Sequence, residues 1–211
     1  MHIYFFTGTG NSYRAAQKLK ELGEANGHPS EVRAVDGLQR KDLKQRAKDH
    51  LYAFVYPTHG FSLPWHMLKF LFRIPSGKGK AILINNRAGM KMGRLFTPGL
   101  SGIAILLPMV ILILKGYKIS AVVPLDTPSN WISLHPGFRK KVILSIFERR
   151  EKELARMWNN LKEGRRYYPL KFFVLLPLDL AVSPISLGYV FFGRFMLART
   201  YLADQNCNAC G

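Results

Sequence analysis

The amino-terminal part of the chain alternates short apolar runs with stretches of helical periodicity. His2-Ile3-Tyr4-Phe5-Phe6 is aromatic and β-branched, which predicts a short buried strand, and Ala15, Ala16, Leu19 and Leu22 then recur at the spacing of one helix face. Glu31-Val32-Arg33-Ala34-Val35 predicts a modest edge strand, and the polar, basic segment from Gln39 to Asp49 a short helix or loop. Leu51-Tyr52-Ala53-Phe54-Val55-Tyr56 is apolar without interruption, as in a central parallel strand covered on both faces. Helical spacing resumes over Trp65-His66-Met67-Leu68-Lys69-Phe70-Leu71. Lys80-Ala81-Ile82-Leu83-Ile84-Asn85 predicts a fourth strand and Lys118-Ile119-Ser120-Ala121-Val122-Val123-Pro124-Leu125 a fifth. Strands alternating with helices predict an α/β fold, a doubly wound five-stranded parallel sheet.

Two stretches depart from this pattern. From Leu95 to Leu114 there is no charged residue, and Ile103–Leu114 has no polar face. The run is about as long as a membrane span requires. It joins two strands of one sheet, however, and Pro98, Gly99, Gly102 and Pro108 interrupt it, so a helix covered by protein or dipping into a lipid interface is expected ahead of a span. A second apolar region, Leu170 to Leu197, is broken by Pro177, Asp179, Pro184, Gly188 and Arg194. It follows a basic, amphipathic helix expected over Arg139–Gly164. Arg139-Lys140-Lys141, Arg149-Arg150 and Arg165-Arg166-Tyr167-Tyr168 suit either a peripheral membrane contact or a solvated basic face. The expected organisation is an α/β domain over residues 1–135, a helical, basic and apolar extension over 136–204, and a cysteine motif over 205–211.

The net charge sharpens the question of partners. Of 211 residues, 31 are Lys or Arg and 13 are Asp or Glu, a formal +18, so an anionic neighbour is expected: a lipid surface or an acidic protein. Nucleic acid is not expected, because no zinc-finger spacing and no reading helix are evident. Met1 runs almost directly into the first strand, so no signal peptide is read. A cytoplasmic location is expected, peripheral to the inner face of a membrane if the basic segments meet lipid.

The candidate chemistry sits where strands end. Thr7-Gly8-Thr9-Gly10-Asn11-Ser12 turns the first strand directly into a helix through hydroxyl and N–H donors, while its glycines allow close approach of backbone to ligand. A helix start with these donors suits a phosphate. A Walker loop would need a Lys before the last hydroxyl, where Asn11 stands, and a dinucleotide fingerprint a third Gly, where Tyr13 stands. The alternative is an ordinary glycine-containing turn. In a doubly wound sheet the ligand lies beyond the carboxyl ends of the strands at the switch point. The loops expected after strands three and four then join the site. Pro57, Thr58, His59, Gly60 and Phe61, with Trp65 nearby, offer aromatic faces, and Asn85, Asn86, Arg87, Ala88, Gly89 and Gly93 offer amides. His2, His28, His50, His66 and His135 show no metal spacing, and no Ser/His/Asp pattern or carboxylate pair suggests hydrolysis.

The order T-G-T-G-N-S, Y-P-T-H-G-F-S-L-P, a loop after strand four and P-S-N-W after strand five resembles the flavodoxin-like half of fused flavodoxin–ferredoxin proteins of anaerobes. The resemblance implies a flavodoxin-like sheet in the order 2-1-3-4-5. It also implies FMN held by its phosphate at residues 7–12, with its ring among the later loops. In that family a ferredoxin unit with 4Fe–4S clusters follows, and Cys207 and Cys210 stand as its opening ligands would; a cluster needs four, so it is expected only if the chain continues beyond Gly211. The implied function is electron transfer between flavin and iron–sulfur centres, with an acidic partner such as a ferredoxin or ferredoxin domain. The alternatives are a flavin-dependent reductase of a small acceptor such as a quinone, using Ser129, Asn130 and Trp131, and a membrane-associated module of the same fold without flavin. Two departures are visible. His59 stands where relatives usually place Tyr, which leaves the ring-stacking partner open between His59, Phe61 and Trp65. Arg87 also adds a positive charge expected to favour the reduced, anionic flavin.

Overall fold

Alternation of side chains along the buried strands builds two cores, one on each face of a single sheet. The computed structural model describes residues 1–38, 50–92, 95–129, 138–196 and 199. Five parallel strands pair in the order β2 (Glu31–Ala34), β1 (His2–Phe5), β3 (Leu51–Pro57), β4 (Lys80–Met92) and β6 (Lys118–Pro128). This is the expected order, and the fold is flavodoxin-like. In β3, Tyr52, Phe54 and Tyr56 face one core, which α2 (Trp65–Arg73) and α3 (Leu106–Leu114) cover. Ala53 and Val55 face the other, where Ala15, Ala16 and Leu19 of α1 (Asn11–Glu24) pack. The small side chains on that side let α1 lie close to the sheet.

The basic helix α4 (Lys140–Lys162) is more than a solvated face. Leu154, Met157 and Trp158 are buried in the same core as α1, so α4 completes the second layer. The sequence boundary at residue 135 therefore does not separate two cores. Beyond α4 the chain returns to the sheet edge: the Tyr167 N–H donates to the Ser120 carbonyl and the Val122 N–H to the Tyr167 carbonyl. Helix α5 (Leu170–Ala181) then buries Phe172 against the first core, followed by α6 (Ser183–Gly188), a wide turn over Tyr189–Gly193, and α7 (Arg194–Met196).

One expectation is corrected. The residues assigned to a loop after strand four continue the strand. Asn86, Arg87, Ala88 and Gly89 pair with Leu125, Asp126, Thr127 and Pro128, and β4 then folds back on the short β5 (Leu95–Thr97). The reason is that β6 runs on to Pro128 and satisfies the backbone groups that a loop would leave to water. The apolar run from Leu95 forms β5, a tight turn at Gly102–Ala104 and α3. Nine residues span about 14 Å, against a hydrocarbon core of about 30 Å. Among the described residues no single helix is long and apolar enough to cross a membrane, although α5 and the segment Ser183–Met196 form a bent apolar pair with a 62° break.

Candidate functional site

Strand β1 is released from the sheet after the Phe6 N–H donates to the Val55 carbonyl. The chain then turns sharply: the Gly10 N–H donates to Thr7 Oγ1 at 2.9 Å, and Gly10 has a φ of 84° as it opens α1. No side chain caps that helix. An uncapped start is a set of N–H donors with the positive end of the helix dipole behind them. A Cβ at Gly8 or Gly10 would meet no atom within 4 Å, so the space over both is open.

Two neighbouring strands are tied to this turn, β4 directly and β3 through β4. Asn86 Nδ2 donates to the buried Ser12 hydroxyl at 2.9 Å. The Thr58 hydroxyl donates to Asn85 Oδ1 at 3.0 Å, and the Thr58 N–H to the Asn86 carbonyl at 2.8 Å. Asn86 Oδ1 and Asn85 Nδ2 are buried with no hydrogen-bond partner. Between these segments lies a cavity of about 230 Å³. It is lined by Thr7, Gly8, Thr9, Asn11 and Ser12, by Pro57, Thr58 and His59, by Asn86, Arg87 and Ala88, and by Thr127, Pro128 and Ser129.

The remaining candidates lie elsewhere. Gly10 forms the turn behind the cavity, and Asn85 lies under Thr58. Gly89 lies against Asp126 and Phe96. Gly93, Asn130, Trp131, Cys207 and Cys210 fall outside the described residues, as does the segment 39–49. Gly60 and Phe61 form a two-residue turn closed by paired bonds between His59 and Ser62, and both have positive φ. The turn faces the carboxyl-terminal helices. The Phe61 carbonyl accepts from the Ser186 hydroxyl at 2.7 Å and from the Ile103 N–H, and a Cβ at Gly60 would lie 2.3 Å from the Tyr189 ring. Trp65 lies beneath the Arg194 guanidinium, 3.8 Å away. Of the three aromatic candidates, His59 is the one that lines the cavity. Thr127 and Pro128 also line it; their signal was the strand itself, which runs past Leu125.

Charge in the site is balanced. Arg87 is 2% exposed and Asp126 7%; Arg87 Nε donates to Asp126 Oδ1 at 2.9 Å, and Asp126 also accepts the Gly99 N–H. The expectation of an uncompensated positive charge at Arg87 is corrected: β6 places a carboxylate directly against it. Burial, and then the neighbouring His66, push the His59 pKa below the ordinary histidine value, so its ring is neutral at pH 7. Phe6 holds this ring edge-on at 6.1 Å and stacks on His66 at 5.3 Å. Among the described residues no group of three His, Cys, Asp or Glu could hold a metal ion.

No protein-family model matches the chain. No curated protein matches it either. Solved structures do. Rubredoxin oxygen:oxidoreductase from Desulfovibrio gigas superposes with a TM-score of 0.50 at 12% identity, over 77% of this chain and 36% of that one. A Fusobacterium nucleatum flavodoxin bound to flavin mononucleotide gives 0.49 at 12% identity, over 78% and 98%. Two-electron reduced Megasphaera elsdenii flavodoxin gives 0.46 at 16% identity, over 74% and 96%. The first of these, at 12% identity, speaks for the fold alone.

Proposed function

We propose that this flavodoxin-like chain binds FMN by its terminal phosphate at the start of α1 and acts as an electron carrier. The observation that carries the reading is the uncapped, uncharged cradle of residues 7–12, opening into a cavity at the carboxyl ends of β1, β3 and β6 and the middle of β4. The residues fit the group. Open space over Gly8 and Gly10 admits phosphate oxygens to the backbone donors, and the unpartnered amide oxygen of Asn86 can accept from a ligand hydroxyl. The volume of 230 Å³ lies below the roughly 300–1,000 Å³ of clefts that enclose a whole small molecule, which suits a site that encloses one end of its ligand.

FMN, when bound, supplies one- and two-electron chemistry at its ring. The chain holds and orients it. Thr7, Thr9, Asn11 and Ser12 offer neutral donors to the phosphate, neutral His59 presents an aromatic face, and the Arg87–Asp126 pair adds no net charge. The proposed partner is an acidic iron–sulfur protein or domain. The formal charge of +18 supports it, as does the Cys207/Cys210 spacing, which would supply two of the four ligands a cluster requires.

The test is Thr9→Glu. Thr9 is exposed, so the variant is expected to fold as the parent does, while its carboxylate enters the phosphate cradle. The parent protein should show flavin absorbance after purification or reconstitution with FMN, and the variant should retain at least tenfold less, a cost of about 1.4 kcal/mol. A variant that remained equally yellow would place the phosphate elsewhere. Anaerobic titration of the reduced parent should show electron exchange with a ferredoxin and no saturable turnover of a quinone.

A further inference from the structure

A second, larger cavity of about 650 Å³ opens between β5, α4 and the start of α5. Its charged lining is strongly basic: Arg149, Arg150, Lys152, Arg156 and Lys171 against Asp126 and Glu153. Both carboxylates are already engaged. Asp126 is paired with Arg87 and Lys171, and Glu153 with Lys171 and the Tyr167 hydroxyl. Arg150 is 8% exposed, and its Nε and Nη2 donate to Glu151, but its Nη1 is buried with no partner. A buried charged donor without an acceptor is costly, and an anionic oxygen in the cavity would remove that cost. Arg149 is held at the rim, its guanidinium 4.2 Å over the Phe96 ring.

The same rim begins an apolar stripe. Leu170 lines the cavity and is 77% exposed; Phe173, Val174, Pro177 and Leu178 follow on the same face of α5, all exposed. Their spacing places them opposite Phe172 and Asp179, which are buried. A helix whose outward stripe is apolar reverses the usual amphipathic order. The exposed surface continues through Ile185, Leu187, Phe191, Phe192 and Phe195. Across residues 164–196 the one acid is Asp179, which is 4% exposed and spent on the Ser101 and Gly102 N–H groups.

We propose that this cavity takes the phosphate headgroup of an anionic phospholipid while the stripe of α5 and the helices after it lie among the acyl chains. The protein then docks on one face of an anionic bilayer without crossing it. Charge complementarity selects this occupant. A free anion or an acidic peptide would satisfy the arginines and leave the contiguous apolar stripe in water, whereas a lipid meets both. The twelve residues of α5 span about 18 Å, and the 62° break after it suits a segment lying in the interface.

The experiment is vesicle flotation of the full chain. Vesicles of phosphatidylcholine alone are compared with vesicles containing about one third phosphatidylglycerol; binding at least about tenfold stronger to the latter is expected. Arg149→Glu/Arg156→Glu should lower that binding at least fivefold. Lys162→Glu/Arg165→Glu makes the same change in net charge at a different basic pocket, beside the amino ends of the strands, and should leave it within twofold. Phe173→Ser/Val174→Ser keeps the charge and should also weaken binding. If the first charge reversal fails to fold by circular dichroism, Arg149→Gln/Arg156→Gln replaces it. Equal losses from the two charge reversals would mean that overall charge, not this cavity, attracts the vesicle, and would overturn the proposal. So would unchanged binding in the cavity or stripe variants. Stabilisation by inorganic phosphate or polyglutamate without vesicle binding would identify a soluble anion or an acidic protein instead and overturn it equally. None of these readouts depends on flavin.

Discussion

Gly10 and Gly8 stand two residues apart in one turn with open space above both, yet only Gly10 has the left-handed backbone. Left-handed φ costs a side-chain-bearing residue about 1–2 kcal/mol. Gly10→Ala should therefore lower the urea midpoint by that equivalent, while Gly8→Ala should stay within about 0.5 kcal/mol of the parent. His59 makes a pH prediction. Its folded pKa lies below the ordinary 6.5, so as pH falls the unfolded chain takes up the proton first. Stability should hold above pH 6.5 and decline below it until the folded pKa is passed. His2 is lowered as well, by burial foremost, and contributes to the same slope. Thermal midpoints measured from pH 7.5 downward should decline in the parent and decline less in His59→Gln. Equal slopes would mean that the ring is already solvated.

At the scale of elements, the seam between β4 and β6 carries a buried ion pair that also reaches α5. Asp126 accepts from Arg87, takes the Gly99 N–H of the β5–α3 connection, and meets Lys171 at 3.5 Å. Removing one member of such a pair strands a buried charge. Asp126→Asn should destabilise by about 3–5 kcal/mol, read as a lower urea midpoint with an unchanged m-value. A loss under 1 kcal/mol would show that water reaches Arg87. Asp179 fastens the other end of α5 by accepting the Ser101 and Gly102 N–H groups at 2.7 and 2.8 Å. Burial raises its pKa, opposed by those two bonds and by Arg87. The tail is thus joined to the turn after β3 at two points, Ser186 on Phe61 and Tyr189 on Gly60, two residues or fewer from His59.

For the whole molecule the question is whether α5 folds with the sheet or hangs from it. Phe172 is 7% exposed and sits in the core that holds Tyr52, Leu83 and Ile111. If α5 belongs to one cooperative unit, Phe172→Ala should move the entire unfolding transition by about 3 kcal/mol or more. A variant that keeps the parent's main transition and gains a separate early one would make the tail an appendage. The surface that α5 and its successors leave exposed is large, and it adjoins a cavity whose charged lining is mostly cationic.

The order of strands and helices was legible because each rests on adjacent residues. An apolar run such as Leu51–Tyr56 has nowhere to go but a covered strand, and Thr7–Ser12 carries its turn glycines and donors within six positions. What the tertiary structure decided depends on residues far apart in the chain. Arg87 loses its free charge to a carboxylate 39 residues on, and Phe61 turns from the cavity toward a serine 125 residues on. The loop assigned after strand four became strand because a neighbour was long enough to pair with it. Local periodicity specifies which face of an element seeks cover. Which distant side chain supplies that cover, and so which charges and rings remain for a ligand, is set only when the layers meet.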